Sequence, residues 1–185
     1  MMPRTDDALF YQLYFQPEGQ AEAEFERDPA TTHRTLLYRA SGDAPPRSAN
    51  APLAMVSRKG GFLDGLPAPV TLPRWLSEAD IAYYAGEFAR SGFRGGLNWY
   101  RNIDRNWELT APLAGLQVKV PALYVAGDRD LVVAFPGMDK LIPNLSMFVP
   151  NLRKTIMLPG CGHWTQQERA PEVNAAMIDF LRSLD

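Results

Sequence analysis

Residues 118–130, VKVPALYVAGDRD, form an apolar run that ends in two aspartates, and this run decides the fold class. Residues 154–164, KTIMLPGCGHW, repeat the arrangement with a polar loop that contains a histidine. Short apolar runs bounded by glycine-rich or proline-rich turns are typical of buried strands. We therefore expect strands at 118–126 and 154–158.

A helical pattern follows each predicted strand. We expect a short helix at 136–142 and a final helix at 171–184, whose first turn carries a proline, where no backbone donor is needed. The alternation of strand and helix predicts the α/β class with a parallel sheet. Two buried parallel strands need neighbours at both edges and cover on both faces, so the predicted parallel sheet is incomplete.

The first 116 residues are rich in aromatic side chains and show no convincing strand alternation. Helices are predicted at 21–27, at 31–40, between an N-cap at Ser77 and a stop at Gly92, and at 93–107. The stretch 41–73 holds many prolines and glycines and is long for a loop in a compact domain, so we expect it to be functional or mobile. The sequence predicts a helical domain over 1–116 and an α/β domain over 117–185.

Composition narrows the range of partners. The net charge is −2 and the basic residues are scattered, so no nucleic-acid partner is expected. A single cysteine excludes an internal disulfide, and two histidines give no metal-ligand cluster, so no structural metal is expected. Charges near Met1 do not suit a signal peptide, and no run approaches the roughly 18 apolar residues of a membrane span. We expect a cytoplasmic protein without a membrane span, and the sequence leaves a homodimer open.

The two polar loops hold the candidate catalytic residues. Each directly follows a predicted strand, at the end where ligands bind in open α/β sheets. In a triad, a carboxylate bonds one imidazole nitrogen and leaves the other to take a proton from a nucleophile or from water. His163 is the candidate base, and Asp130 or Asp128 is the candidate residue that orients it. In the structural alternative, the aspartates form turn and cap hydrogen bonds and His163 is an ordinary loop histidine.

Two further reactive side chains receive structural interpretations. Cys161 adjoins His163 but has no second histidine to activate it, so we expect a buried spectator thiol rather than a nucleophile. His33 lies in the predicted 31–40 helix, and we expect a surface or core histidine rather than a ligand.

Three stretches carry a family resemblance: residues 11–16 (YQLYFQ), 92–102 (GFRGGLNWYRN) and 160–166 (GCGHWTQ). With them, nearly the whole chain resembles the α/β-hydrolases and, among these, the soluble epoxide hydrolases. The histidine stretch is shared by many α/β-hydrolases, whereas the two tyrosine stretches are particular to the epoxide hydrolases. The Gly-x-x-Asp spacing of this family favours Asp130 over Asp128.

The resemblance implies a helical cap followed by the C-terminal strand–helix units of an α/β-hydrolase core. It implies that Tyr11 and Tyr100 bind the epoxide oxygen while an aspartate of the core attacks an epoxide carbon. The structural alternative for these two tyrosines is packing in an aromatic core. His163, oriented by Asp130, would then activate the water that hydrolyses the alkyl-enzyme ester to a diol. Trp164 follows His163, so we expect it either to flank the cavity that binds the small-molecule epoxide or to pack beneath the histidine loop. This chemistry needs no cofactor and no metal.

The sequence departs from the family pattern in two places. It contains no His-Gly dipeptide for an oxyanion loop and no Gly-x-Asp-x-Gly elbow for the nucleophile. We therefore expect a C-terminal segment of an epoxide hydrolase that is inactive alone and exposes apolar surface. The alternatives are another cap-bearing α/β-hydrolase, such as an esterase or haloalkane dehalogenase, and a non-catalytic binding module derived from one.

Overall fold

The computed structural model describes residues 2–46, 53–66 and 68–184, and their contacts separate into two compact units. The first unit comprises Met1–Arg39 and Arg47–Pro112, and the second comprises Ala40–Pro46 and Leu113–Asp185. The two-domain division at residue 116 stays a prediction. The contact pattern puts the change four residues earlier and adds a short segment from the first half of the chain to the second unit.

The first unit is mainly helical. Its helices are α1 (Tyr11–Tyr14), α2 (Gln20–Phe25), α3 (Pro29–Arg39), α4 (Glu78–Ser91), α5 (Arg94–Arg101) and α6 (Ile103–Leu109). The capping box predicted for α4 is confirmed, because the Asp80 N–H donates to the Ser77 side chain and the Ser77 N–H donates to the Asp80 carboxylate. Gly92 ends this helix with φ of 70°, a conformation that favours glycine.

The single helix expected over 93–107 is wrong. The chain leaves helical geometry at Asn102, whose φ and ψ are −91° and 6°, and α6 begins at the next residue. The Asn102 side-chain amide donates to the Asn98 carbonyl at 2.8 Å. This local hydrogen bond competes with the backbone ladder, which is why asparagine interrupts helices.

The expectation of no strand before residue 117 is also wrong. Strands β1 (Ala8–Phe10) and β2 (Met55–Ser57) form an antiparallel ladder in which Leu9 is opposite Val56. Three-residue strands are too short to show period-two alternation. The strand β2 also lies inside the stretch 41–73 that was expected to be a loop. Residues 47–52 and 67 of that stretch lie outside the described residues, so its expected mobility stays a prediction.

An aromatic core holds the first unit together. Phe15 and Phe25 are buried and lie with their ring centroids 5.9 Å apart, and Phe62 contacts both. Edge-to-face contacts of this kind stabilise a core beyond the burial of their area. Tyr11 and Tyr100 pack against the margin of this core.

The second unit contains the expected parallel pair of strands. Strand β3 (Ala122–Gly127) pairs with β4 (Leu152–Leu158). The predicted start of β3 at residue 118 is wrong, because the ladder begins at Ala122 and the Val118 N–H donates to the Phe148 carbonyl instead. Within the described residues no third strand joins this sheet, which confirms the expectation of an incomplete parallel sheet.

Helices complete the second unit. They are α7 (Met138–Leu141), which continues as a 3-10 helix (Ile142–Met147), α8 (Thr165–Glu168) and α9 (Ala170–Arg182). Two of them, α8 and α9, contact β3. Helix α9 has Pro171 in its first turn and packs Val173 against Leu158 and Cys161. This packing fixes the segment that follows β4.

Apolar side chains are exposed on the second unit. On α9, Met177, Ile178 and Leu181 keep about half of their surface accessible. Val118 and Val120, before β3, are exposed by 50% and 65%. Exposed apolar surface on this unit agrees with the expectation for an incomplete core. Among the residues described, none of the helices has both the length and the apolar character needed to span a bilayer.

Candidate active site

The acid turn, residues 127–130, begins at the last residue of β3. The Asp130 side chain is 12% exposed, and its Oδ1 accepts a hydrogen bond from the Val132 N–H at 2.9 Å. Asp128 faces elsewhere, because its Oδ1 accepts the Gly160 N–H at 2.8 Å. The two aspartates therefore have different partners although they lie two residues apart.

The histidine loop, residues 160–164, follows β4 at the same end of the sheet. Because parallel strands align their carboxyl ends, the two loops meet. His163 Nδ1 lies 3.1 Å from Oδ1 and 3.0 Å from Oδ2 of Asp130. The structure thus brings His163 to Asp130 rather than to Asp128. The His163 side chain is 41% exposed, so the ring is accessible.

Asp130 and His163 each shift the pKa of the other in the direction that favours its charged form. Burial alone would raise the pKa of Asp130, but hydrogen bonds with His163 and the Val132 N–H outweigh it and lower that pKa. The hydrogen bond to Asp130 raises the pKa of His163 against the opposing effect of burial. Asp130 thus favours the tautomer with a proton on Nδ1 and stabilises the imidazolium. The His163 Nε2 is left to exchange a proton with another group.

A third segment, residues 40–44, completes the surroundings of His163. The His163 N–H donates to the Ala40 carbonyl at 2.8 Å. The Arg129 guanidinium donates to the carbonyls of Gly42 and Ala44. This segment was not recognised in the sequence, because nothing in residues 40–44 indicates which distant loop it contacts.

Glycines allow these three segments to touch. A Cβ at Gly162 would overlap the backbone nitrogen of Gly42, and a Cβ at Gly127 would overlap the carbonyl oxygen of Cys161. These positions require glycine for the close approach of backbones rather than for backbone conformation, since neither has a positive φ.

Glu168 was also missed by sequence reasoning. Its residue is 8% exposed, and its carboxylate accepts the backbone N–H groups of Gly42, Gly162 and Trp164. An isolated glutamate in an otherwise polar stretch predicts an exposed side chain. Its position five residues after the histidine is the only signal that the sequence offers.

Cys161 is fully buried beneath the histidine loop. Burial, followed by the nearby charge of Glu168, raises the pKa of the Cys161 thiol to about 11. A nucleophilic cysteine needs a lowered pKa and access. The structure therefore agrees with a spectator thiol.

The Trp164 ring packs edge-on against His163, with the ring centroids 4.9 Å apart and the planes at 77°. The residue is half-buried. A contact between Trp164 and substrate stays a prediction.

The two predicted tyrosines lie together within the first unit. Tyr11 begins α1 and Tyr100 lies in α5, and their ring centroids are 5.6 Å apart with the planes at 76°. Both rings also pack against Phe15, at 5.6 and 5.0 Å. Residues that are 89 positions apart in the chain therefore form one aromatic pair.

The phenol groups of this pair are available for donation. The Gln12 side-chain amide donates to the Tyr11 hydroxyl at 3.1 Å, so the phenol proton of Tyr11 can point to another acceptor. Burial, and then the charge of Tyr11, raises the pKa of Tyr100. A protonated phenol is the form that can donate a hydrogen bond to a developing alkoxide.

A buried ion pair supports Tyr100 from the next residue. The Arg101 guanidinium donates to both carboxylate oxygens of Glu22, at 2.6 and 2.8 Å, and to the Phe15 carbonyl at 2.9 Å. The Gln16 amide donates to the Tyr100 carbonyl at 3.0 Å. The backbone that carries Tyr100 is thus fixed to the segment that follows α1.

His33 lies in the same unit and has a structural environment. Its ring stacks on Tyr84, and its Nδ1 lies 2.7 Å from the Pro29 carbonyl. The described residues contain no group of three or more His, Cys, Asp or Glu side chains that could hold a metal ion.

Comparison with known proteins shows which proteins this chain resembles. The chain is 44% identical over 183 residues to epoxide hydrolase A of Mycobacterium tuberculosis, covering 98% of this chain and 55% of the relative. A solved epoxide hydrolase from an endophytic Streptomyces superposes with a TM-score of 0.90 at 38% identity, covering 97% of this chain and 54% of that chain. Epoxide hydrolase A from Mycobacterium thermoresistibile superposes with a TM-score of 0.82 at 44% identity, covering 96% and 53%.

Over nearly its whole length the chain is homologous to epoxide hydrolases, which have the α/β-hydrolase fold. It spans about half the length of the curated epoxide hydrolases that it matches. This partial coverage agrees with the expectation of an epoxide hydrolase segment. No family model matches the sequence.

The epoxide hydrolase fold agrees with the expected fold class. The solved epoxide hydrolases match both the helical part and the strand–helix part of this chain, since more than nine-tenths of its residues superpose. The named relatives are epoxide hydrolases, so they favour the epoxide hydrolase interpretation over an esterase or a haloalkane dehalogenase.

Proposed function

We propose that this chain supplies the hydrolytic base and the epoxide-binding tyrosines of an epoxide hydrolase. The observation that carries the proposal is the contact of His163 Nδ1 with both carboxylate oxygens of Asp130, at 3.1 and 3.0 Å. This contact favours the tautomer in which Nδ1 carries a proton and donates a hydrogen bond to Asp130, so that Nε2 remains for proton transfer.

The proposed reaction has two steps. A core aspartate, for which this sequence holds no elbow pattern, attacks an epoxide carbon, so that a C–O bond of the ring breaks and an alkyl-enzyme ester forms. His163 Nε2 then takes a proton from water, whose oxygen attacks the ester carbonyl. The ester C–O bond to the diol oxygen breaks, and the imidazolium returns its proton as the diol leaves.

The tyrosine pair is assigned to the first step. As the ring opens, negative charge develops on the epoxide oxygen, and a phenol of pKa about 10 can donate to it and partly protonate it. The Tyr11 hydroxyl accepts a hydrogen bond from the Gln12 amide, which leaves its own proton for donation and supports this assignment. The raised pKa of Tyr100 supports its protonated form at neutral pH.

The first test measures hydrolysis of styrene oxide to its diol. The chain alone is expected to give no turnover, because no ester forms. A fusion that adds the unmatched part of the Mycobacterium tuberculosis relative before residue 1 should hydrolyse the epoxide. Turnover by the isolated chain, or an inactive but folded fusion, would contradict the proposal.

Variants of the fusion separate the two steps. His163→Gln should trap the ester, which mass spectrometry detects as an adduct with the mass of the epoxide. Tyr11→Phe and Tyr100→Phe should slow adduct formation itself, while Tyr83→Phe, an exposed tyrosine of α4, serves as the control. Only epoxide opening should lose a large part of its rate in the two tyrosine variants, so an unchanged rate of epoxide opening in both would refute the role proposed for the pair.

A small-molecule epoxide is thus the proposed substrate. The cytoplasmic location rests on the single cysteine, and the absence of a nucleic-acid partner rests on the scattered charge. These two points and a homodimer stay predictions. A contribution of Trp164 to the substrate pocket is part of the proposal and is supported by its packing against His163.

A further inference from the structure

Glu168 is a buried carboxylate that the proposed reaction does not use. Its Oε2 accepts the N–H groups of Gly42 and Gly162, each at 2.8 Å, and its Oε1 accepts the Trp164 N–H at 3.0 Å. Hydrogen bonds to an ionised acceptor are roughly twice as strong as neutral ones. A buried carboxylate is retained only when such partners compensate its loss of hydration.

The donors of these bonds surround the candidate base. Gly162 and Trp164 are the residues on either side of His163, so one carboxylate fixes the peptide groups that flank it. The third donor, Gly42, belongs to the segment whose Ala40 carbonyl accepts the His163 N–H. Glu168 therefore constrains the backbone of His163 from both sides and holds the segment to which His163 itself bonds.

Other charged groups lie around the histidine loop besides Glu168. The charged groups around the loop have distinct roles: Asp130 bonds Nδ1, Asp128 accepts the Gly160 N–H, and Arg129 donates to the carbonyls of Gly42 and Ala44. Arg169, which follows Glu168, donates to the Glu168 backbone carbonyl.

After the hydrogen bond to Asp130, the charges of Asp130 and Glu168 favour the protonated form of the His163 ring and so contribute to its raised pKa. Two negative groups thus act on this imidazole.

We propose that Glu168 is a positioning residue for His163, which orients the ring through the flanking backbone and stabilises the imidazolium formed when His163 takes a proton. The inference rests on the proposed role of His163 as base, but its test uses the isolated chain and needs no turnover. The inference about Glu168 can therefore fail while the fusion hydrolyses the epoxide, and it can hold while the fusion is inactive.

The test follows the titration of the two histidines by NMR of the ring nitrogens in the 185-residue chain. His33→Gln assigns the signals. In Glu168→Gln the carboxylate is replaced by an amide, whose NH₂ cannot accept the backbone donors. We expect the His163 pKa to fall by roughly half a pH unit or more and the neutral ring to lose its single tautomer. Glu172→Gln removes an exposed charge at the start of α9 and is the matched control, with a change below about 0.2 pH units.

A second measurement covers the case in which Glu168→Gln does not fold. In the unsubstituted chain, the side-chain carboxyl carbon signal of Glu168 should show an inflection at the His163 midpoint, and that of Glu172 should not. An unchanged His163 titration in folded Glu168→Gln would overturn the proposal. If Glu168→Gln does not fold, the absence of that inflection from the Glu168 signal of the unsubstituted chain would also overturn the proposal.

Discussion

Removal of the Arg101 guanidinium should destabilise the first unit far more than removal of an ordinary surface arginine. The Arg101 and Glu22 side chains are only 10% and 11% exposed, and their contact is bidentate. Arg101→Ala leaves the Glu22 carboxylate buried without its cation and also leaves the Phe15 and Pro17 carbonyls without their donor. Breaking a buried pair by removing one partner costs about 3–5 kcal/mol.

The size of this loss can be compared with total stability. The free energy of unfolding of native proteins is about 5–15 kcal/mol, so a loss of this size is a large share of the total. Arg101→Lys keeps the charge but loses the planar two-bond geometry, so an intermediate loss is expected. In a double-mutant cycle, Glu22→Gln combined with Arg101→Ala should cost less than the sum of the single losses.

Urea unfolding followed by tryptophan fluorescence measures these losses. In a Trp164→Phe background, the remaining tryptophans all lie in the first unit, at positions 75, 99 and 107, so the signal reports on that unit. The unfolding midpoint and slope then give the free energy of unfolding for each variant.

The matched control lies on the same helix. Arg94 pairs with Glu18 at 2.6 Å, but these side chains are 64% and 68% exposed. Exposed ion pairs contribute about 0–1 kcal/mol, so Arg94→Ala should have little effect. If Arg101→Ala costs no more than Arg94→Ala, the reasoning from burial is refuted.

Three further predictions concern other described residues. Burial lowers the pKa of His33 in the folded chain. The unfolded chain therefore takes up a proton at this position first, and the free energy of unfolding should fall as the pH drops below about 6.5. His33→Gln should reduce this fall in a plot of unfolding free energy against pH. Gly162→Ala should lower the unfolding free energy by about 1–3 kcal/mol because its Cβ meets the backbone of Gly42, whereas Gly86→Ala, in open space on a helix, should be neutral or stabilising. Urea unfolding followed by far-ultraviolet circular dichroism measures both variants, because Gly162 lies in the second unit and Gly86 in the first. Cys161 should react with a thiol reagent only after denaturation, and rapid labelling of the native chain would contradict its burial and its pKa of about 11.

Local signals in the sequence predicted local structure well. The capping box of Ser77 and Asp80 and the stop at Gly92 involve residues within a few positions of one another, and α4 has the expected bounds. The parallel pair β3–β4 followed from two apolar runs, although the start of β3 was placed too early. The break at Asn102 was missed because helical periodicity continues across it.

The candidate site was predictable only in part. Asp130 and His163 could be proposed as partners because the ends of neighbouring parallel strands meet at one edge of a sheet. The distance from His163 to Asp130, and the different partner of Asp128, depend on the path of each turn. The roles that these residues have in catalysis stay predictions.

The sequence by itself determined the helix α4, the β3–β4 pair with its following helices and the residue types that could perform hydrolysis, because these depend on periodicity, capping and the chemistry of single side chains. Only the tertiary structure decided which distant groups meet. Glu168 became a buried carboxylate because the N–H groups of Gly42, Gly162 and Trp164 converge on it from two segments. Such convergence depends on where the backbone returns after more than a hundred residues, and no local pattern in the sequence contains that information.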